Sequence, residues 1–253
     1  MSPAPEEPSA DAFLGGRLTI RQPRRGYRAA TDPVLLAASV AAVPGQAVLE
    51  LGCGVGVALL CLGRRVPGLA LTGVELQAEY AALARRNAVA NGIAAEIHQA
   101  DLTALPASLR RRAFDHVLAN PPWFAAAAAS PAPDSGRDRA NREGTPLADW
   151  LEVALRRLRP GGGLWLIQRS ERLPEVLTLL QGRAGDIRVL PLSARQGREA
   201  RRFLLGARKG SRGAFRLLAP LVLHRGAAHG ADGEDFSAAA TAVLRGGGGL
   251  DLG

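Results

Sequence analysis

From residue 46 onward, short apolar runs that suit buried strands alternate with longer stretches that suit helices. The strands are expected near residues 47–50, 70–74, 95–98, 116–119, 163–168, 186–190 and 203–207, and the helices near 55–66, 77–91 and 147–158. Alternation of this kind is typical of parallel βαβ units, because two parallel strands need a crossover connection between them. We therefore expect an α/β fold with a mostly parallel, seven-stranded sheet that is flanked by helices.

Composition divides the chain into four regions. Residues 1–11 are rich in Pro, Ala and Glu and are predicted to be disordered. Residues 12–45 form an N-terminal extension, predicted as a hairpin followed by a helix that begins near Asp32 and Pro33. The main domain is expected to span residues 46–245, and the glycine-rich residues 246–253 are predicted to form a flexible tail.

The sharpest chemical feature is Asn120-Pro121-Pro122-Trp123, which directly follows an apolar run that ends at Ala119. Two prolines cannot continue a strand, because proline has no N–H for the ladder and restricts the residue before it. The chain must therefore leave the sheet at the carboxyl end of a strand, where open α/β sheets bind ligands. A carboxamide, a rigid main-chain carbonyl and an aromatic ring together suit a planar group that bears an –NH2.

A long insertion, residues 125–145, follows this corner and contains Arg137, Arg139 and Arg142. An insertion of this length is typical of either a linker or a lid that grips the substrate, and its arginines favour the lid. We therefore expect this segment to become ordered when the substrate binds.

A glycine loop upstream predicts a cofactor site. The run Glu50-Leu51-Gly52-Cys53-Gly54-Val55-Gly56 passes from a strand into a helix with glycine at every second position. Glycine lets the backbone turn sharply and approach a ligand closely. A dinucleotide fingerprint needs a third glycine where this chain has Val57, which argues against a nicotinamide cofactor. The acidic residue two positions before the first glycine resembles instead the first motif of S-adenosyl-L-methionine-dependent methyltransferases.

Two further carboxylates stand at strand ends, where the same cofactor would lie. Glu75 closes the next strand and can accept hydrogen bonds from ribose hydroxyls. Asp101 follows the third strand, where it can accept from an adenine amino group or cap the next short helix, and the cofactor contact is favoured. The candidate cofactor residues are Glu50, Gly52, Gly54, Gly56, Glu75, Asp101 and Asn120.

The chain has a formal net charge of +9, and nearly all its cations are arginines. Arginine forks match phosphate oxygens and stack on bases, so this balance favours a polyanionic partner such as structured RNA. A compositional bias or a solvated hairpin face would produce the same clusters without any function. The candidate substrate or RNA contacts are Arg24, Arg25, Tyr27, Arg28, Phe124, Arg198, Arg201 and Arg202.

The sequence argues against several other classes of protein. Its two cysteines, Cys53 and Cys61, have no metal-ligand spacing, and we expect no metal, no disulfide and a reducing, cytoplasmic location. No apolar stretch approaches about 18 residues, so we expect no membrane-spanning segment. Residues 1–11 also lack the apolar core of a signal peptide.

The N-terminal extension carries motifs that narrow the family. They are Phe13-Leu14-Gly15-Gly16-Arg17-Leu18, Gln22-Pro23 with Gly26-Tyr27-Arg28, and Asp32 ahead of Leu35-Leu36-Ala37-Ala38. Together they resemble the start of the bacterial tRNA1(Val) adenine-N6-methyltransferases, which modify the adenine beside the anticodon. The similarity continues through the glycine loop, the strand-end carboxylates and the Asn-Pro-Pro corner to Leu221-Val222-Leu223-His224.

This resemblance implies a Rossmann-like class I methyltransferase, monomeric or weakly dimeric, that uses S-adenosyl-L-methionine to methylate tRNA. The Asn120 carboxamide oxygen and the Pro121 carbonyl would each accept one hydrogen bond from the adenine N6 amine, at a corner stiffened by Pro122. Trp123, with Phe124 beside it, would stack on the extruded base. Trp123 is the one departure from the family, which usually carries tyrosine or phenylalanine there.

The Asn-Pro-Pro-aromatic motif marks methylation of planar nitrogen atoms in general, so two other substrates stay open. Ribosomal-RNA guanine-N2 methyltransferases share both the motif and a polyanionic substrate. Release-factor glutamine N5-methyltransferases share the motif but usually carry a helical N-terminal domain that this chain is too short to hold. A non-catalytic RNA-binding module is the remaining alternative, and the intact cofactor motifs argue against it.

Overall fold

The computed structural model describes residues 7–122, 124–125, 142–226 and 235–253. The strands are β1 (Ser9–Phe13), β2 (Leu18–Gln22), β3 (Ala47–Leu51), β4 (Ala70–Glu75), β5 (Ala95–Gln99), β6 (Phe114–Ala119), β7 (Phe124–Ala125), β8 (Arg142–Glu143), β9 (Leu158–Arg169), β10 (Ala184–Ser193), β11 (Ala200–Lys209), β12 (Arg216–Leu217) and β13 (Leu221–Val222). The helices are α1 (Thr31–Ser39), α2 (Val57–Arg65), α3 (Ala78–Ala90), α4 (Ala107–Arg110), α5 (Leu147–Arg157), α6 (Leu173–Leu180) and α7 (Ala238–Leu244). Each strand and helix that the sequence predicts overlaps one of these.

The central sheet has the order β12-β10-β11-β9-β6-β3-β4-β5, and the short β13 also pairs with β10. The strands from β5 to β9 in this order are parallel, whereas β11 runs antiparallel to both of its neighbours. This confirms the predicted α/β fold with seven main strands. The two-residue strands β12 and β13 extend one edge, and they are too short to leave a pattern in the sequence.

Helices cover both faces of the sheet and create two apolar layers. One layer joins the sheet to α1, α2, α3 and α7, and the other joins it to α4, α5 and α6. The central strand β6 is buried along its whole length. From β3 the chain builds outward through β4 to β5 and then returns to place β6 on the other side of β3. A crevice therefore opens between the carboxyl ends of β3 and β6, the place where such sheets bind ligands.

The predicted hairpin of the N-terminal extension forms, but it begins earlier than expected. Residues 9–11 belong to β1 and pair with β2, so the prediction of disorder through residue 11 is wrong for them. Two amides of α3 hold the free edge of β2: Asn87 pairs with the backbone N–H and C=O of Arg21, and Asn91 does the same for Thr19. A side-chain amide carries both a donor and an acceptor, so it can satisfy an edge strand in this way.

The C-terminal residues 246–253 are ordered against the domain, so the prediction of a flexible tail is wrong. Leu252 is only 3% exposed, and the N–H of Leu250 donates to the Ala38 carbonyl at 2.8 Å. Leu252 is buried in the layer around α1 and the partly buried Leu250 packs against the same layer, so these two leucines help to fix the tail.

The insertion that the sequence predicts as a lid falls mostly outside the described residues. At its two ends, β7 and β8 pair as short parallel strands. Among the helices that the structure describes, none is long and apolar enough to cross a membrane.

Candidate active site

The carboxyl ends of β3, β4, β5 and β6 surround one cleft, and it brings together motifs that lie 70 residues apart in sequence. Most of the predicted cofactor and catalytic residues line it: Glu50, Gly52, Gly54, Glu75, Asp101, Asn120, Pro121 and Pro122. Gly56 is the exception: it is the N-cap residue of α2, and a Cβ there would point at Ala84, 3.5 Å from its Cβ. Trp123 and the side chain of Phe124 lie outside the described residues.

The glycine loop adopts a backbone that favours glycine, and its glycines differ in their surroundings. Gly52 and Gly54 have φ angles of 65° and 54°, in the left-handed region that residues with a Cβ rarely adopt. A Cβ at Gly52 would lie 2.5 Å from Cη2 of Trp150, which packs on the loop from α5. A Cβ at Gly54 would meet no protein atom within 4 Å, because this glycine faces the open cleft.

Glu75 fixes the glycine loop from the neighbouring strand. Its Oε2 accepts from the N–H of Gly54 at 2.9 Å, and its Oε1 accepts from the N–H of Gln77 at 2.8 Å. Burial raises the pKa of Glu75, while these backbone hydrogen bonds lower it. Each carboxylate oxygen can accept more than one hydrogen bond, so Glu75 can hold the loop and a ligand hydroxyl together.

The other two predicted acidic residues also have partners within the protein. Glu50 is buried, and its Oε2 accepts from the N–H of Leu59 at 3.0 Å in the first turns of α2; burial raises its pKa well above the usual range. Asp101 accepts from the backbone N–H and the hydroxyl of Thr103, at 2.8 and 2.7 Å, and caps a short turn. Both side chains therefore have a structural use, and their contact with a cofactor stays a prediction.

The cleft fits a nucleoside cofactor with a polar sugar and a flat base. Gly54 leaves open space where any side chain would project, and Glu75 supplies a carboxylate beside that space. Leu76, the next residue, is 61% exposed although it is apolar, and it also lines the cleft. An exposed leucine next to a hydroxyl acceptor suits a ribose and its base.

Asn120 carries an unused acceptor in this cleft. Its Oδ1 is buried and has no hydrogen-bond partner among the described residues. A side-chain hydrogen bond between Asn120 and Tyr27 opposes the increase in the Tyr27 pKa that burial causes, and because Oδ1 has no partner we assign this bond to the amide nitrogen. Tyr27 was predicted as an RNA contact, but it is half-buried beside Asn120 in the cleft. Tyr27 therefore engages the amide nitrogen and leaves the oxygen without a partner among the described residues.

Two residues at the cleft are not evident from the motifs. Gln168 at the end of β9 donates from Nε2 to the Pro121 and Pro122 carbonyls, at 3.3 and 3.4 Å. Trp150 lines the cleft beside the glycine loop. Its Nε1 is buried without a partner among the described residues. Gln168 does leave a signal, since it is the polar residue that ends the apolar run 164–167.

The predicted arginine contacts differ in their surroundings. Arg202 forms an ion pair with the buried Asp32, which lies within the first turn of α1 and is not its N-cap. The Arg202 guanidinium neutralises a core carboxylate, so it has a structural use, and its contact with RNA stays a prediction. Arg28 pairs with Asp11 at 2.6 Å, and Arg24 donates to the Glu7 carbonyl at 3.0 Å.

Arg25, Arg198 and Arg201 are exposed. Arg198 and Arg201 form no ion pair with any residue in the described ranges. They lie at the edge of the sheet that carries the cleft, because β11 begins opposite the carboxyl end of β9. These two arginines are the best placed of the predicted set to meet a polyanion beside the cleft.

Comparison with known proteins supports the same chemistry. The methyltransferase small domain family matches residues 30–190. A tRNA1(Val) (adenine(37)-N6)-methyltransferase of Porphyromonas gingivalis is 32% identical over 196 residues, 72% of this chain and 76% of that protein. The enzyme of the same name from Yersinia enterocolitica is 33% identical over 174 residues, 66% of this chain and 68% of that protein.

A solved structure agrees with the fold over nearly the whole chain. The crystal structure of a predicted O-methyltransferase from Agrobacterium tumefaciens superposes with a TM-score of 0.70 at 26% identity, and covers 87% of this chain and 98% of its own. The cleft residues fit the cofactor of this family, S-adenosyl-L-methionine. The chain belongs to the methyltransferase small domain family, within the group of tRNA1(Val) (adenine(37)-N6)-methyltransferases.

Proposed function

We propose that this chain transfers a methyl group from S-adenosyl-L-methionine to the exocyclic N6 of an adenine beside the anticodon of a tRNA. The observation that carries the proposal is the buried, unpartnered Oδ1 of Asn120, a residue that lines the cleft together with the glycine loop. A buried acceptor without a partner is costly, so a site that keeps one is suited to a ligand N–H. The names of the curated relatives supply the base and the RNA.

The residues at the corner would position a poor nucleophile. The lone pair of an adenine N6 is delocalised into the ring, and two acceptors can draw the nitrogen toward a tetrahedral geometry. Asn120 Oδ1 would accept one N6 hydrogen bond, and the Pro121 carbonyl would accept the other. Bound S-adenosyl-L-methionine supplies an electrophilic methyl group on a sulfonium. Positioning and electrostatics, rather than a strong base, would then provide most of the acceleration.

The cofactor would be held by the residues that already shape the glycine loop. Glu75 would accept from the ribose hydroxyls, Gly54 would let the cofactor approach the backbone, and Asp101 would lie near the base. Glu50 would act mainly by anchoring the start of α2.

The RNA would approach the edge of the sheet that carries Arg198 and Arg201. A loop nucleotide can leave its stack at small cost, which allows the adenine to enter the cleft. Trp123 and Phe124 are proposed to stack on it, next to the corner. We further propose a monomer or weak dimer that works in the cytoplasm without a metal ion.

Methyl transfer from labelled cofactor to bulk tRNA, ribosomal RNA and a release factor, measured in parallel, tests the proposed function. We expect the label in tRNA as N6-methyladenosine after nucleoside analysis. Label in guanosine of ribosomal RNA, or in glutamine of the release factor, would assign a different acceptor to the same cleft. Bound cofactor with no transfer to any of the three would contradict the proposal.

Alanine substitutions at the neighbouring Arg201 and Arg202 of β11 should have different effects, one on RNA binding and the other on stability. Arg201→Ala should weaken tRNA binding and reduce the slope of log affinity against log salt by about 1, with unchanged thermal stability. Arg202→Ala should instead lower the free energy of unfolding by roughly 3 kcal/mol, because it leaves Asp32 buried without its counter-charge. Filter binding at several salt concentrations and thermal melts measure the two effects.

The instability of Arg202→Ala should depend on pH in a defined direction. Burial raises the pKa of Asp32 and Arg202 opposes this, so removing Arg202 raises the pKa further. A folded-state pKa above the unfolded value favours the protonated folded form, and its stabilisation is lost as pH rises through the folded pKa. The deficit relative to wild type should therefore shrink as pH falls from about 7 toward 4. A stability deficit of Arg202→Ala that stays constant over this pH range would contradict the role of Arg202 as the counter-charge of Asp32.

A further inference from the structure

Gln168 is a fully buried polar residue that contacts the Asn-Pro-Pro corner from behind the cleft lining. Its Nε2 donates to the carbonyl oxygens of both Pro121 and Pro122, and its Oε1 accepts from the N–H of Arg169 at 2.9 Å. All the hydrogen bonds that the structure gives its side chain therefore go to main-chain groups, and two of its three partners belong to the Asn-Pro-Pro corner.

The sheet register explains why Gln168 reaches this corner. Strands β6 and β9 are parallel and pair Ala119 with Leu166, so Gln168 lies two residues further along, level with Pro121. On its other side, Gln168 is paired with Phe203 of β11. The side chain is therefore held between a rigid sheet and a loop that has just left that sheet.

The corner needs a donor from elsewhere in the chain. Two consecutive prolines contribute two carbonyl acceptors and no N–H, so the loop cannot be closed by its own backbone donors at these positions. A buried carbonyl without a partner is unfavourable, and the orientation of each peptide plane depends on what its oxygen contacts. Gln168 supplies the one side-chain NH2 group that contacts both oxygens in the described part of the chain.

We propose that Gln168 is a positioning residue for methyl transfer, which holds the Pro121 and Pro122 carbonyls in the orientation that presents the acceptors to the target amine. This inference rests on the proposed function. A carbonyl oxygen has two lone pairs, so Pro121 can accept from Gln168 and still accept from the amine. Tyr27 hydrogen-bonds the Asn120 side chain. Both acceptors are then set before the substrate arrives, which is how a site lowers a barrier by preorganisation.

Gln168→Met tests the role because methionine has a similar length and volume but no donor. We expect kcat to fall by about 10-fold or more, as small misplacements of reacting groups do. The KM for tRNA and the dissociation constant for S-adenosyl-L-methionine should stay within about 3-fold, since Gln168 touches only the corner. The matched control is Gln46→Met, at the opposite end of the sheet, where Gln46 accepts from the Val43 N–H and contacts His116. It should keep the wild-type kcat.

Gln168→Glu adds a readout that a purely structural role would not change. An ionised carboxylate cannot donate and would face two carbonyl oxygens, whereas a protonated one donates a single hydrogen bond. The ratio of the variant's kcat to the wild-type kcat should therefore rise as pH is lowered from about 8.5 to 6, because burial among acceptors favours the protonated form. This variant also covers the case in which Gln168→Met does not fold.

The outcomes separate this inference from the proposed function. The assays use whichever acceptor the wild-type protein methylates, so a change of acceptor leaves the test of Gln168 intact. Wild-type protein that methylates nothing defeats the proposed function and this inference with it. Wild-type activity together with a normal kcat in Gln168→Met, or a pH-independent ratio in Gln168→Glu, overturns the inference alone.

Discussion

Asn120→Ala is expected to lower kcat by at least about 100-fold while cofactor binding is retained. The substitution removes the unpartnered Oδ1 acceptor, and with it the group that is proposed to draw the amine nitrogen out of conjugation. The Asn120 side chain contacts Tyr27 and supports no part of the glycine loop in the described structure, so the cofactor site should persist. Steady-state kinetics with tRNA and calorimetric titration of S-adenosyl-L-methionine measure the two quantities.

Tyr27→Phe provides a graded comparison for Asn120→Ala. It keeps the acceptor oxygen and removes only the hydroxyl that fixes the amide, so the loss in kcat should be smaller, about 10-fold. Near-normal turnover in Asn120→Ala would remove the amide from the mechanism. Weak cofactor binding in that variant would show that Asn120 acts through the glycine loop.

The fold was predictable because its signals are local. Strand β3, the glycine loop and the start of α2 follow one another closely in the sequence. Each is determined by residues that are near one another in the chain. The corner at Asn120 was equally evident, since two prolines end a strand in any context. The positions of the candidate site residues along the sheet edge were predictable because parallel strands present their carboxyl ends at the same edge.

The features that the sequence did not predict depend on contacts between segments that are distant in the chain. Arg202 and Asp32 are 170 residues apart, and only the packing of α1 against β11 shows that this cation is used in the core. A cluster of arginines in a sequence does not reveal which members have partners. Gln168 was not identified either, because its role depends on the register between β6 and β9. Residues 246–253 were wrongly predicted to be flexible because their glycine content was given more weight than their two leucines.

The glycine loop supports a second prediction of large effect. Gly52→Ala should lower the free energy of unfolding by about 3 kcal/mol, the sum of the strain at positive φ and the overpacking against Trp150. For a chain of this size the melting temperature should fall by about 6–12 °C. The loop must also move to relieve the contact, so the affinity for S-adenosyl-L-methionine should fall by more than about 10-fold. Thermal melts and calorimetric titration measure these changes.

Gly54→Ala separates the two causes, because it imposes similar backbone strain with no protein atom near the new Cβ. It should cost only about 1–2 kcal/mol of stability, yet its methyl group enters the cleft and should still weaken cofactor binding. In Gly52→Ala/Trp150→Phe the ring atoms that meet the Cβ are gone, so the double variant should be more stable than the sum of the single changes by about 1–2 kcal/mol. Equal melting temperatures for Gly52→Ala and Gly54→Ala would contradict the contact with Trp150. The loop glycines then serve separate purposes, since Gly52 makes room for the Trp150 ring and Gly54 is proposed to make room for the cofactor.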